Sequence, residues 1–303
     1  MGKLFLIETD IIRFKLSKGT VISMKRKKIT SKTVSEFAAY LKNKEKSRAT
    51  IEKYLRDAAY FADFAAGRSV SKELTIEYKA ALKNSYAVTS ANSMIASLNS
   101  LLRFIGLHDC CVKQFRVQRE TYCPADKELT KEEYIRLVKT ARTQGNERLG
   151  LLIETVCGTG IRVSELQFIS AEAAKKGEAR VMNKGKTRTI FLPAKLQSKL
   201  LRYAAKNHIS SGPLFITRSG RPMNRCNVWR EMKGLCRRAD VKPEKVFPHN
   251  LRHLFARTFY GIERDIAKLA DLLGHSSINT TRIYIITTGA EHRRKLDGMR
   301  LII

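Results

Sequence analysis

The sequence predicts a mainly α-helical protein of two domains with one small β-hairpin. A length of 303 residues is typical of two domains, at about 150 residues each. Apolar residues recur at helical spacing through most of the chain, and only residues 178–192 alternate and are rich in β-branched side chains. We therefore expect an all-α N-terminal domain followed by a mixed, mostly helical second domain.

Changes in pattern along the chain divide it into four segments. The predicted segments are a basic arm over 1–30, a helical domain over 31–108, a linker over 109–127, and a second domain with a C-terminal tail over 128–303. The arm carries eight basic and two acidic residues, and the linker loses the helical period and contains Pro124.

Local signals mark the ends of predicted helices. Thr33 and Glu36 form a candidate capping box, in which each side chain bonds the other residue's backbone N–H, so the first helix is expected to begin there. Gly106 is expected to end the fourth helix, because glycine readily takes the left-handed conformation found at helix ends. Thr130 and Glu133 form a second candidate capping box, at the start of the second domain.

The helix that follows the first one of the second domain is expected to be buried. Its residues around Leu149–Val156 are apolar on most sides, and it is expected to stop at the Gly158–Gly160 turn. A new helix is expected from about Arg162. The hairpin over 178–192 is predicted to turn at Lys184-Gly185, after which the helical pattern returns.

The composition indicates a polyanionic partner. Lys and Arg number 58 against 28 for Asp and Glu, which gives a formal net charge of +30. The basic residues are spread along the chain, which favours nucleic acid over a membrane surface. We find neither an apolar run of about 18 residues nor a signal-peptide pattern, so no membrane span is expected. Six cysteines without a CxxC pair predict reduced thiols in a cytoplasm.

Two strings resemble known sites but lack a required residue. A nucleotide-binding P-loop around Lys184–Thr187 would need a glycine in place of Arg180. His249 and His253 have the spacing of a zinc protease, which would need a glutamate in place of Asn250. We therefore expect no metal site and no cofactor.

Two pairs of residues at helical spacing are suited to holding a phosphodiester. Arg162 follows the glycine-rich turn, where a guanidinium and the N–H groups of a helix start can face one anion, and Glu165 lies on the same face. His249 and Arg252 are spaced in the same way on a helix that Pro248 is expected to begin. Each pair alone is more often a surface ion pair or an exposed helix start.

Two more residues complete the candidate set. His275 follows a glycine at a predicted helix end, and Tyr284 comes nine residues later. Tyr284 alone would be interpreted as a core aromatic residue. The ordered combination of all these positions, rather than any one of them, argues for a site.

Four strings in this order resemble the tyrosine recombinase (phage integrase) family. They are GTGIRVSEL from 158, NKGKTR from 183, HNLRHLFART from 249 and LGHSSINTTRIY from 273. The last two strings are highly specific, and the resemblance covers about 31–290, since the helical domain is similar to that family's core-binding domain. It implies a site-specific DNA recombinase that cuts and rejoins strands through a covalent 3′-phosphotyrosine, as an integrase of a mobile element does.

The resemblance also implies the site residues. They are Arg162, Lys184, His249, Arg252, His275 and Tyr284, with Glu165 in support. The two arginines would grip the scissile phosphate, the hairpin lysine would protonate the leaving 5′ oxygen, and Tyr284 would be the nucleophile. The first histidine would exchange a proton with the tyrosine, and the second would donate a hydrogen bond to the phosphate. The hairpin turn is about one residue shorter than the family's usual form, which leaves Lys186 open as an alternative to Lys184.

The implied partners are double-stranded DNA with a specific recombination site and further copies of the chain, as a tetramer on DNA. The expected DNA-binding surfaces are the basic faces of 31–108 and 109–127, in a bacterial cytoplasm at the nucleoid. The arm is too short for the extra arm-binding domain of larger phage integrases. Two alternatives stay open: a type IB topoisomerase, which shares the chemistry but has little sequence preference, and a non-catalytic DNA-binding relative.

Overall fold

The chain forms two compact units, Met1–Arg119 and Glu120–Ile303. The computed structural model describes residues 11–15, 21–25, 27–117, 127–183, 186–285 and 297–299. The boundary between the units falls inside the predicted linker, most of whose second half lies outside the described residues, as does most of the C-terminal tail.

The first unit is built from four helices. They are α1 (Ser31–Asn43), α2 (Arg48–Ala65), α3 (Lys72–Ser85) and α4 (Val88–Phe104). Serine hydroxyls cap α2 and α3, each accepting a backbone N–H from the first turn. Aromatic and aliphatic side chains from all four helices, including Phe37, Phe61, Tyr78 and Leu102, form one buried core. The prediction of an all-α domain after the arm is confirmed.

The start of α1 corrects the predicted capping box. Thr30, not Thr33, precedes the helix. Its hydroxyl accepts the backbone N–H of Thr33 at 3.3 Å, and the hydroxyl of Thr33 accepts the backbone N–H of Thr30 at 3.3 Å. The helix thus begins three residues earlier, because a threonine three positions after the cap replaces the expected glutamate. The predicted arm also contains two short antiparallel strands, β1 (Ile11–Lys15) and β2 (Val21–Lys25), which the sequence did not predict.

The linker begins later than predicted. The side-chain amide of Asn99 bonds both the backbone N–H and the carbonyl of Val112, at 3.0 and 2.8 Å. Asn92 does the same at Phe115, at 2.7 and 2.9 Å. Residues 109–117 therefore pack on α4 as part of the first unit, because two asparagines satisfy the backbone that the segment would otherwise leave unpaired.

The second unit surrounds one buried helix. Its elements are α5 (Lys131–Thr143), α6 (Glu147–Thr159), α7 (Ala171–Lys176), β3 (Glu178–Asn183), β4 (Lys186–Phe191), α8 (Ala194–Lys206), α9 (Arg225–Ala239), α10 (Pro248–Glu263), α11 (Ile266–Leu273) and α12 (Ile278–Arg282). Helix α6 packs against α5, α8, α9 and α10, and it buries Leu149, Leu152 and Val156, as its apolar sequence predicts. The capping box of Thr130 and Glu133 forms as predicted.

The predicted hairpin is formed by β3 and β4. Val181 pairs with Arg188, and Ala179 pairs with Ile190, so these positions share the face that packs inward. The helix expected from about Arg162 is a 3-10 helix, Val163–Phe168. No helix among the described residues is long and apolar enough to cross a membrane.

Candidate active site

The turn after α6 brings two distant parts of the second unit together. Gly160 has a φ of +63°, and a Cβ atom there would lie 2.4 Å from Cδ1 of Phe255 on α10. Glycine is therefore required both by the left-handed backbone and by the close approach of α10. The carbonyl oxygen of Gly160 accepts a hydrogen bond from the guanidinium of Arg252.

Arg252 is a buried cation fixed by backbone carbonyls. Arg252 is 1% exposed, and its guanidinium donates to the carbonyl of Leu273 at 2.7 Å as well as to that of Gly160. One of its nitrogens also lies 3.0 Å from Nε2 of His275. Burial, followed by the charge of Arg162, lowers the pKa of Arg252 to about 10, so the side chain is still charged at neutral pH. The carbonyl bonds explain how so buried a charge is tolerated.

Glu165 holds Arg162 at the edge of an open pocket. Its carboxylate is 2% exposed and accepts the Arg162 backbone N–H at 2.9 Å and the guanidinium at 3.0 Å. Arg188 from β4 adds a second ion pair at 2.5 Å. Burial raises the pKa of Glu165, but the bond from the Arg162 backbone and the charge of Arg188 outweigh it and hold this pKa below its ordinary value. The carboxylate is thus a charged anchor.

The ring of Tyr284 is buried among three side chains of α10. It follows α12 and is 5% exposed, and its hydroxyl oxygen lies 3.3 Å from Nε2 of His249. The ring centroid lies 4.3 Å from that of His253 and 5.9 Å from the guanidinium carbon of Arg252. A phenol, an imidazole and a guanidinium therefore meet at one point.

Two of the three histidines beside this tyrosine, His249 and His275, are suited to proton transfer and hydrogen bonding as neutral rings at pH 7. Burial, with the positive charges of Arg252, Arg225 and Arg162, lowers the pKa of His249 below its ordinary value. Burial and the neighbouring arginines lower the pKa of His275 to about 4. A neutral imidazole has one nitrogen free to accept a proton, so His249 is suited to taking one from a phenol.

The structure gathers six of the predicted residues in the second unit. They are Arg162, Glu165, His249, Arg252, His275 and Tyr284. Arg162 borders two open pockets, one lined also by Arg188 and His275 and the other by Trp229 and His249. Lys184 lies outside the described residues, and Lys186 is described only as the β4 residue that pairs with Asn183.

Comparison with known proteins identifies the family. The family model described as "Phage integrase family" matches residues 127–290. The chain belongs to the phage integrase family. It is 30% identical over 287 residues to the tyrosine recombinase XerA of Pyrococcus furiosus, over 92% of this chain and 98% of that protein.

Two solved structures share the fold of this phage integrase family member. One is the XerH site-specific recombinase bound to its difH substrate before cleavage, with a TM-score of 0.63 at 20% identity over 88% of this chain and 84% of that chain. The other is a lambda integrase tetramer bound to a Holliday junction, with a TM-score of 0.69 at 14% identity over 93% and 94%.

Family membership confirms the predicted activity. The protein is a tyrosine-type site-specific recombinase, an enzyme that breaks and rejoins DNA strands, rather than a type IB topoisomerase or a non-catalytic relative.

Three residues of this recombinase contact the site but were not predicted from the sequence. Arg188 bonds Glu165 and the carbonyl of Leu272, His253 packs against Tyr284, and Thr281 bonds His275. A signal existed for the first two, since Arg188 lies in the NKGKTR string and His253 lies one helical turn after His249. Thr281 is one of two adjacent threonines, and nothing in the sequence distinguishes them.

Proposed function

We propose that this recombinase cleaves double-stranded DNA at a specific site with the hydroxyl of Tyr284 as nucleophile. The observation that carries the proposal is the 3.3 Å approach of that hydroxyl to His249, beside the buried guanidinium of Arg252. A phenol has an ordinary pKa of about 10 and is a weak nucleophile unless a base takes its proton or a cation stabilises its anion. This site supplies both.

The step transfers the phosphoryl group from the 5′ oxygen of the DNA to the phenolic oxygen. The phenolic oxygen of Tyr284 bonds to phosphorus as the bond from phosphorus to the 5′ oxygen breaks. The phenolic proton passes to His249, and the leaving 5′ oxygen takes a proton from Lys184 of the hairpin, with Lys186 as the alternative. The 3′-phosphotyrosine keeps the bond energy, so the reverse attack by a 5′ hydroxyl rejoins a strand without ATP. Neither half-reaction needs a metal or a cofactor.

Arg162 and Arg252 are proposed to grip the non-bridging oxygens of the scissile phosphate. Each guanidinium is fixed before DNA arrives, Arg162 by Glu165 and Arg252 by the carbonyls of Gly160 and Leu273. Pre-positioned charge stabilises the negative charge that develops in the transition state without reorganisation. A lysine presents a point charge and cannot bond two oxygens as a guanidinium does.

DNA and further copies of the chain complete the proposal. A groove of the first unit is lined by Lys72, Lys79, Lys83 and Lys113 beside Phe115, which supports DNA contact by the predicted basic faces of 31–108 and 109–127. The fold shared with a lambda integrase tetramer on a Holliday junction supports a tetramer on DNA. We propose that the protein acts in the bacterial cytoplasm, at the nucleoid. We also propose that it integrates or excises a mobile element.

The decisive experiment detects the covalent intermediate. A duplex is first selected from a random library for binding, then nicked near the cleavage position so that the freed strand end diffuses away. The protein with this substrate in EDTA and without ATP is expected to give a denaturation-resistant protein–DNA band. Tyr284→Phe should remove the band, and Tyr203→Phe, at an equally buried tyrosine of α8, should keep it.

Other outcomes would redirect the proposal. A band that survives Tyr284→Phe would exclude this nucleophile, and a band of equal strength on unselected DNA would indicate a topoisomerase-like activity. Near-normal cleavage by Arg162→Lys or Arg252→Lys would contradict the two-oxygen grip. Binding can be followed independently, because Trp229 is the single tryptophan of the chain, is 50% exposed and lines the same pocket as His249.

A further inference from the structure

Thr281 lies against His275, and the reaction described above gives it no role. Its side chain is fully buried, and its hydroxyl oxygen lies 2.8 Å from Nδ1 of His275. The other ring nitrogen, Nε2, lies 3.0 Å from a guanidinium nitrogen of Arg252. The imidazole is therefore held at both nitrogens, by a guanidinium that can only donate hydrogen bonds and by a hydroxyl that can donate or accept them.

Arg252 decides which tautomer of His275 the DNA-free protein contains. A guanidinium only donates hydrogen bonds, so Nε2 must accept and the neutral ring must carry its proton on Nδ1. The ring is neutral at pH 7 because burial and the charges of Arg252 and Arg162 lower the pKa of His275 to about 4. The Nδ1–H group consequently donates to the hydroxyl of Thr281.

Donation to a phosphate needs the opposite tautomer. A neutral His275 can donate from the nitrogen beside Arg252 only if its proton is on Nε2, and Nδ1 must then accept a hydrogen bond. A hydroxyl is both a donor and an acceptor, so Thr281 can reverse its bond to Nδ1 by rotating its O–H. A backbone carbonyl or a carboxylate in its place would stabilise only the Nδ1–H form.

We propose that Thr281 is a positioning residue whose reversible hydroxyl bond lets His275 change tautomer when a scissile phosphate draws the Arg252 donor away from Nε2. The ring stays neutral, since solvent water exchanges one proton off Nδ1 and one proton onto Nε2 at the half-buried ring. This inference rests on the proposed function, because it assumes that His275 donates to the phosphate.

The test compares three substitutions in the nicked-substrate assay. Thr281→Val keeps the shape and removes the hydroxyl, and it is expected to slow formation of the covalent complex by about 10- to 100-fold, less than the about 100- to 1000-fold that loss of a donor to the reacting group itself causes. DNA affinity should stay within about 2-fold, since the phosphate-gripping arginines are unchanged. Thr281→Ser restores a hydroxyl and should restore the rate. Thr258→Val, at an exposed threonine whose hydroxyl bonds the Leu254 carbonyl, is the control.

A spectroscopic measurement separates a tautomer effect from a packing effect. Protein labelled with 15N-histidine and carrying Tyr284→Phe is examined by NMR, free and bound to the selected duplex. His275 is expected to change from the Nδ1–H to the Nε2–H form on binding, and Thr281→Val should abolish that change. Unchanged cleavage by Thr281→Val, or an Nδ1–H form in the complex, would overturn the proposal. Failure of the proposed function is seen separately, as a covalent band that survives Tyr284→Phe while Thr281 is intact.

Discussion

Each unit of the protein has a carboxylate buried against cations, Asp57 in the first and Glu165 in the second, and the two sites differ in how many hydrogen-bond donors their cations leave unused. In the first unit Asp57 is 6% exposed and pairs with Lys53, while Ser97 donates to it at 2.7 Å. The three donors of Lys53 are matched by Asp57, the Ser93 carbonyl and the Ser97 hydroxyl. The hydrogen-bonded network is thus closed, and it holds α2 against α4; a second cation, the exposed Arg56, lies 3.9 Å from the same carboxylate, beyond hydrogen-bond distance.

In the second unit, Glu165 bonds only part of the guanidinium of Arg162. Glu165 accepts one guanidinium bond from Arg162, whose other nitrogen donates to the Gly274 carbonyl at 3.2 Å. A guanidinium carries five N–H donors in a planar fork, so three remain directed elsewhere. The side chain is 31% exposed beside two open pockets. A buried acid therefore supports binding when its cation has more hydrogen-bond donors than the protein uses.

Among substitutions that leave the proposed reacting and phosphate-binding groups in place, the largest effect on cleavage is expected from Glu165→Gln. The substitution removes the negative charge that keeps Arg162 and Arg188 together, so Arg162 loses its fixed direction. We expect formation of the covalent complex to slow by about 100-fold, comparable to the loss of a pre-positioned donor. The nicked-substrate assay measures this rate.

A matched control for that change is Glu154→Gln. Glu154 also pairs with two cations, Arg142 at 2.7 Å and Lys199 at 2.6 Å, but these lie on α5 and α8, and none of the six site residues that the structure describes pairs with it. Its cleavage rate should stay close to that of the unchanged protein. Equal rates for both variants would mean that Glu165 only stabilises the fold.

Arg188→Met is expected to have the next largest effect. Arg188 joins β4 to Glu165 and to the Leu272 carbonyl at the end of α11, and a Cβ atom on Gly274 would lie 2.5 Å from its Cδ. Without it, the hairpin loses its link to the segment that carries His275. We expect cleavage to slow by about 10-fold, from misplacement rather than from loss of a reacting group. Arg180→Met, at an exposed position of β3, is the control, and an equal loss there would contradict the role of Arg188.

The part of this site that sequence could predict is the part carried by local spacing. The members of each pair, Arg162–Glu165 and His249–Arg252, are one helical turn apart, and the two pairs line adjoining pockets that share Arg162. Arg188 contacts Glu165 only through the register of β3 and β4, and Thr281 reaches His275 only through the turn between α11 and α12. Contacts of this kind depend on tertiary packing, which periodicity does not encode.

The features of the fold can also be divided into those that local spacing predicts and those that depend on tertiary packing. Helix α6 and the hairpin follow from periodicity, whereas the late start of the linker depends on Asn92 and Asn99, whose amides reach backbone groups 13 to 23 residues away. The capping error at α1 has a chemical reason. Both Thr30 and Thr33 can cap a helix, and only the observed backbone shows which one does.

A smaller effect concerns the stability of the second unit in mild acid. Burial, with neighbouring charges, lowers the pKa values of His249, His253 and His275, the last two to about 4. The unfolded chain therefore binds protons below pH about 6.5 that the folded chain does not, and stability falls from there toward pH 4.5. Urea unfolding at pH 7 and pH 5 should show this loss, and His253→Phe should reduce it. His108→Asn, in the first unit, controls for removing a histidine elsewhere, and an equal reduction there would contradict the assignment.

The smallest effect on cleavage is expected from Asp57→Asn, which breaks the closed network of the first unit. Lys53 keeps its bonds to Ser93 and Ser97 but loses its anion, so the free energy of unfolding should fall by about 1–3 kcal/mol in urea unfolding. Once DNA is bound at saturating protein, the rate of covalent complex formation should be unchanged, because no donor of this network is directed at a ligand. Lys32→Met, which removes an exposed partner of Glu36, should change neither quantity. A slower cleavage step in the saturated Asp57→Asn complex would mean that the helical unit does more than bind, and that a closed network can still position the reacting groups.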